Sequence, residues 1–285
     1  RSQPFGFITP TVLKEPFQFS SFNNGATLLF KNGHDFWVMD SWLPTAVTDN
    51  GYPVETVPGL VTLGDFAYVM DRSGLIHNCE LANANKWPSL NVVGADFTDD
   101  EGVYLARYKN YVVALGTYTT QLFYDAGLSA GSPLLPVLNA NTEIGCASAS
   151  TVAKYEDTLI WVSQTRDGNR QVVMMSGTVP TAISSLAVDK YLSQFAADAY
   201  ALPLQGCLVG IPGHQFYILN AANPRVFIDQ LEVVTWVYDL RRKKWIQWLT
   251  DLPVYKDNGL PFLFAASDGN YALHTANGPV YPSDY

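Results

Sequence analysis

Several groups of residues in this 285-residue chain have types and spacings suited to chemistry. Gly127-Leu128-Ser129-Ala130-Gly131 spells G-x-S-x-G, the elbow that presents a nucleophilic serine. That elbow needs a helix directly after the serine, and Pro133 and Pro136 follow instead, so a small-residue loop is the plainer reading. Asp99-Asp100-Glu101 is the densest acidic run. Converging carboxylates would suit glycoside hydrolysis, whereas a charged link is ordinary just before a strand at Val103 to Ala106. A sialidase-type Asp box is hinted at by Arg166-Asp167-Gly168 and Ser267-Asp268-Gly269, neither with its tryptophan. His34, His77, His214 and His274 show no H-x-x-x-H or Cys/His spacing, so each reads as a turn or blade-edge residue and no metal is expected. Cys79, Cys146 and Cys207 are odd in number and widely spaced, which predicts core thiols without disulfides and a reducing compartment. Arg241-Arg242-Lys243-Lys244 is the basic cluster and the candidate partner contact; its plainer reading is a solvated turn between two aromatic strands. No catalytic residue and no cofactor is expected, and the chain reads as a non-enzyme.

The elements that must position these residues are β-strands. Apolar or aromatic runs close repeatedly on Asp, as in Trp37-Val38-Met39-Asp40, Tyr68-Val69-Met70-Asp71, Leu122-Phe123-Tyr124-Asp125 and Trp236-Val237-Tyr238-Asp239. Such residues fit a pleated, half-buried surface, and an Asp at the exit opens a turn by accepting amide hydrogens two residues on. Glu232 to Trp248 reads as a hairpin around Asp239 to Lys243. Further hairpins are expected around Asn32-Gly33, Ser73-Gly74, Gly116-Thr117, Asp167-Gly168, a polar insertion near Pro224, and Asp268-Gly269. Turns at 33, 74, 116, 168, 224 and 269 lie 41, 42, 52, 56 and 45 residues apart. A period of about 40 to 50 residues in an all-β chain predicts a β-propeller of about six degenerate blades, with a β-sandwich as the alternative. The units are degenerate because Asp40 and Asp125 follow their turns whereas Asp71 and Asp239 precede theirs.

One segment departs from this pattern. From Ser184 to Tyr200, Val188, Leu192 and Phe195 recur at i, i+4 and i+7, predicting one amphipathic helix near 184–200 between two blades. The whole chain, 1–285, reads as a single propeller domain. Its start at Arg1 and its stop just after a strand-like stretch read as a piece of a longer polypeptide.

Charged residues are 15% of the chain, against a usual share of about 25%. Sparse charge leaves little freely solvated surface and favours an assembly subunit over a freely diffusing enzyme. No apolar run approaches the ~18 to 20 residues of a membrane helix, so a soluble chain is expected. The net charge of −9 argues against tight binding to phosphate backbones. In a conduit, an acidic wall would let DNA slide without sticking. The 7 Trp, 16 Tyr and 15 Phe suit packing between sheets, sugar stacking or protein contacts. Trp245 and Trp248, an odd number of residues apart on one strand, must face opposite ways.

Thr142-Glu143-Ile144-Gly145-Cys146-Ala147, then Ser150 to Lys154, then Asp157-Thr158-Leu159-Ile160-Trp161, resemble the packaged-DNA stabilisation or tail hub (nozzle) proteins of short-tailed bacteriophages. The likeness continues upstream at Thr119 to Gly127. Downstream it runs through Asp198-Ala199-Tyr200-Ala201, Gly213 to Leu219, Thr235 to Asp239 and Trp245, covering roughly Val103 to Trp248. The resemblance implies a structural virion protein of the phage tail: a propeller subunit whose copies form a ring below the portal and adaptor. That ring would retain packaged DNA, carry tail fibres or spikes, and pass DNA through its lumen at ejection without specific binding. It would be assembled in the host cytoplasm. Family members are generally longer than this chain, so missing blades or an inserted domain, and a missing platform for fibre attachment, are the expected departures. A glycan-binding or glycan-cleaving propeller is the alternative function.

Overall fold

The computed structural model describes residues 18–33, 35–95, 99–128, 131–194, 204–211, 213–223 and 232–248, and the strands within 262–280. Among the described residues six sheets follow one another along the chain, and in five of them the strands pair antiparallel with their sequence neighbours. The chain divides into two compact units, residues 1–149 and 150–285.

The first unit holds three four-stranded sheets. The first comprises β1 (Gln18–Phe22), β2 (Thr27–Asn32), β3 (Asp35–Met39) and β4 (Thr45–Ala46). The second comprises β5 (Val61–Leu63), β6 (Phe66–Met70), β7 (Leu75–Asn78) and β8 (Val92–Gly94). The third comprises β9 (Gly102–Tyr108), β10 (Tyr111–Gly116), β11 (Thr120–Asp125) and β12 (Leu134–Pro136), followed by the two-residue β13 (Gly145–Cys146).

Alternation along β6 shows how these sheets share a core. Ala67 and Val69 join Phe22, Leu29, Phe36, Val38 and Trp87 in one cluster, while Tyr68 and Met70 join Leu105, Val112, Ala114 and Phe123 in another. Successive side chains of a strand point to opposite faces, so the second sheet is packed on both faces, by the first sheet and by the third. For this run the half-buried reading is corrected, since residues 67–70 are all buried, whereas Trp37-Val38-Met39 keeps the expected alternation. Trp87 closes the first cluster edge-on to Phe36 and Tyr52 at ring separations of 5.5 and 5.0 Å, and its indole N–H donates to Ala84 O at 2.9 Å.

The second unit begins with the 3₁₀ turn Ala149–Thr151 at its border and a sheet built on β14 (Ala153–Tyr155), β15 (Thr158–Gln164), β16 (Val172–Ser176) and β17 (Val179–Ala182). Helix α1 (Leu186–Leu192) follows. Then come β18 (Leu204–Ile211), β19 (His214–Asn223), β20 (Glu232–Asp239) and β21 (Lys244–Trp248), and finally β22 (Phe262–Ala265), β23 (Tyr271–Thr275) and β24 (Gly278–Val280). β15 is buried from Leu159 through Gln164, including Trp161, for the same two-faced reason as β6.

The helix falls within the expected 184–200 but is shorter, ending at Leu192 before a turn at 193–194; Val188 and Leu192 are fully buried, while Phe195 lies outside the described residues. Each expected hairpin forms, although the insertion near Pro224 and the turn at Asp268-Gly269 also lie outside them. The β-sandwich alternative fails, because six separate sheets of sequential strands are not two packed layers. The grouping of the Asp residues changes too. Asp125 and Asp239 end the third strands of their sheets and Asp40 directly follows the third strand of its own; Asp71, directly after a second strand, is the exception.

Candidate functional site

The basic cluster sits at the tip of the β20–β21 hairpin. Asp239 and Lys244 are register partners, which leaves residues 240–243 as the turn. Asp239 builds it: its buried carboxylate accepts the backbone N–H groups of Arg241 and Arg242, both at 2.9 Å through Oδ1. The Arg242 amide is the strongest influence holding this carboxyl below the ordinary carboxylate range; burial opposes it, and the Arg241 amide and nearby His214 assist. Lys243 closes the turn with φ of +53°, a left-handed conformation.

All four cations are exposed. The arginines are nevertheless oriented: Arg241 Nη1 donates to Gly213 O at 3.0 Å, and Arg242 Nε lies 3.7 Å from Asp239 Oδ2. Beside Arg241 lies an open groove of about 580 Å³ lined by Tyr155, Gly210, Gly213, His214, Gln215 and Leu240. His214 stacks on Phe216 with ring centroids 5.6 Å apart, and its Nδ1 is 3.5 Å from Asp239 Oδ2. The arrangement is a shallow, positively charged groove with an imidazole and a phenol in its wall. Nothing in the hairpin's sequence foretold that groove, because the β14–β15 and β18–β19 turns supply its other side; the close glycines Gly210 and Gly213 were the legible trace.

Away from this groove, the chemistry-bearing candidates are spent on structure. Asp100 Oδ2 accepts from the amides of Tyr118 and Thr119 at 2.8 and 2.9 Å and from the Thr119 hydroxyl at 2.9 Å, pinning the β10–β11 turn. Glu101 pairs with Arg72 at 3.1 Å in solvent. Asp71 accepts from Ser73 Oγ at 2.7 Å and from the Leu75 amide at 3.0 Å, and Asp125 accepts from the Gly127 amide at 2.9 Å. These are the strand-exit turns the Asp pattern predicted. Leu134–Pro136 is a strand where a nucleophile elbow would need its helix, and Ser129 lies outside the described residues. Arg166-Asp167-Gly168 is the β15–β16 turn, with the Gly168 amide bonded to Thr165 O at 2.9 Å.

His77 sits 3.0 Å from Asp71, while His34 and the side chain of His274 lie outside the described residues. Among the described residues no three His, Cys, Asp or Glu side chains gather as metal ligands would. The cysteines are free thiols; Cys79 and Cys146 are buried and Cys207 is half-buried. Trp245 and Trp248 face opposite ways as their spacing requires. The former donates to Ile183 O at 2.7 Å and packs on Tyr217 and Tyr238, and the latter packs on Phe216. No described helix is long and apolar enough to cross a membrane.

The family described as Bacteriophage P22 Gp10, beta-propeller, a phage packaged-DNA stabilisation family, matches residues 57–241 of this chain. The chain belongs to this family. The match starts further toward the N-terminus than the resemblance at Val103 and covers the second and third sheets whole. Membership makes the six-sheet succession that of a β-propeller, and makes the chain a bacteriophage structural protein. No curated protein matches the sequence. Among solved structures, the chain is similar to one in the crystal structure of the mitotic checkpoint complex, with 16% identity, a TM-score of 0.50, and coverage of 92% of this chain and 74% of that one. It is also similar to U3-55K (14%, TM-score 0.48, coverage 90% and 72%) and to the Nup133 β-propeller domain of Vanderwaltozyma polyspora (10%, 0.42, 90% and 77%). At 16% identity, the likeness to the checkpoint-complex chain bears on the fold alone.

Proposed function

We propose that this protein is a tail nozzle or hub subunit, copies of which form a ring below the portal and adaptor that retains packaged DNA and passes it at ejection. The family match over residues 57–241 carries the reading. Two features of the chain support it. An excess of nine negative charges suits a wall that DNA must pass without adhering. The carboxylates of Asp71, Asp100, Asp125 and Asp239 are each held by the amides of a turn, which fits a scaffold that performs no turnover. Portal, adaptor and tail fibres are the partners this reading implies, and the virion its location, after assembly in the host cytoplasm.

The test is DNA retention. Filled capsids assembled without this protein are expected to leave their DNA open to nuclease, and the added protein to restore protection and appear as a ring at the portal vertex by electron microscopy. Capsids equally protected without it would overturn the reading. Turnover of host envelope glycans, abolished by one acidic substitution, would replace it with the glycan-cleaving alternative.

A further inference from the structure

Charge is unevenly divided along this chain. Residues 1–149 hold 14 Asp and Glu against 7 Lys and Arg, whereas residues 150–285 hold 12 against 10. Four of those ten cations stand in a row at 241–244, exposed, beside a groove with Arg241 and His214 in its wall. Asp239 and Gly213 O engage the two arginines, but among the described residues Lys243 and Lys244 have no side-chain hydrogen bond or ion pair. In the first unit, Asp40, Glu55, Asp65, Glu80, Asp99 and Glu101 are exposed.

A closed ring of more than two copies is heterologous: each contact joins two different patches of the same chain, and the two must complement each other. A chain with its acidic excess in one unit and a concentrated basic turn in the other carries such a pair. We propose that the Arg241–Lys244 turn docks on the acidic surface of residues 1–149 of the next copy, with a carboxylate of that copy seated in the groove beside Arg241 and His214. The inference rests on the ring reading above and names its contact. DNA is the less suited occupant. Two of the four cations are already engaged within the chain, Arg241 by Gly213 O and Arg242 by Asp239, and the net charge of −9 repels phosphate.

Self-association of the full chain, alone and on portal–adaptor assemblies, is measured by light scattering and sedimentation across a salt series. Raising salt from low to about 1 M shortens the screening length to ~3 Å and is expected to weaken association at least about tenfold. Lys243→Glu with Lys244→Glu is expected to weaken it similarly at low salt with an unchanged melting temperature, since both side chains are exposed. Mixing that variant with one carrying Asp65→Lys and Glu80→Lys is expected to recover association. Carbodiimide cross-linking of mixed light and heavy isotope-labelled chains is expected to join Lys243 or Lys244 of one copy to a carboxylate within 1–149 of another.

Association that survives the reversal, or cross-links confined to single copies, overturns this inference and leaves the ring reading standing. Binding to a duplex DNA oligonucleotide that the reversal abolishes, with association untouched, assigns the turn to DNA and overturns it likewise. No association under any condition, with portal and adaptor present, overturns the ring reading as well.

Discussion

His77 Nε2 lies 3.0 Å from Asp71 Oδ2, both side chains mostly buried at the exit of β6. Burial opposes ionisation of Asp71, yet hydrogen bonds from His77, Ser73 and the Leu75 amide outweigh it and hold the carboxyl below its ordinary value. A depressed folded-state value means that the stabilisation is fully present above the unfolded carboxylate value of about 3.9 and is lost as pH falls through the folded one. Urea midpoints measured downward from pH 5 should therefore fall for the native protein. Asp71→Asn should lower the midpoint at pH 5 and flatten that acid limb.

Lys31 is fully buried in the first sheet, and its ammonium donates to Val57 O at 2.9 Å. Lys31→Ala removes the stem from the core and orphans a buried carbonyl. A loss of about 3 kcal/mol in denaturant unfolding is expected, larger than for Lys31→Met, which keeps the volume.

Asp100 separates a structural from a catalytic reading of the acidic run. With three hydrogen bonds converging on one oxygen, Asp100→Ala should cost about 2 kcal/mol and loosen the β10–β11 turn, seen as faster amide exchange at Tyr118 and Thr119. Glu101→Ala removes only a solvent-exposed ion pair with Arg72 and should shift the melting temperature little.

Gly59 combines a φ of +117° with an approach to the backbone of Leu105 so close that an added Cβ would overlap it. Gly59→Ala faces strain and a clash with atoms that cannot rotate away, so a loss of at least about 2 kcal/mol is expected in thermal or urea unfolding. The same change at Gly25, φ +86° with open space around it, should be milder.

Burial pushes the Cys79 thiol up to about 12 and that of Cys207 up to about 11. Near pH 8 almost no thiolate forms at either, so a thiol reagent should label them only as the protein unfolds. Rapid labelling of the folded protein would refute this.

The central hairpin of each sheet was legible in the sequence because its strands are long and apolar and its turns carry Gly, Asn or Asp, as at Gly33 and Gly74. Among edge strands, β9 and β21 were legible, at Val103 to Ala106 and in the Glu232–Trp248 hairpin, but the shortest were not. β4 is Thr45–Ala46, both exposed, and β8 is three half-buried residues; backbone pairing with a longer neighbour defines such segments, and their composition carries no signal. The basic turn was legible as residues, but its groove was assembled from other turns of the same unit. Asp99-Asp100-Glu101 looked like one acidic run, yet Asp100 is fixed by amides 18 and 19 residues away while Glu101 reaches solvent.

By itself the sequence determined the all-β class, the repeating period, the lone helix and the Asp-capped strand exits, because each follows from contacts within a few residues. Only the tertiary structure decided that β6 is buried on both faces, that a lysine lies in the core, and that Asp239 shares its blade position with Asp40 and Asp125. Those outcomes depend on which sheet packs against which, and side chains brought together across many tens of residues leave no spacing in the chain to read.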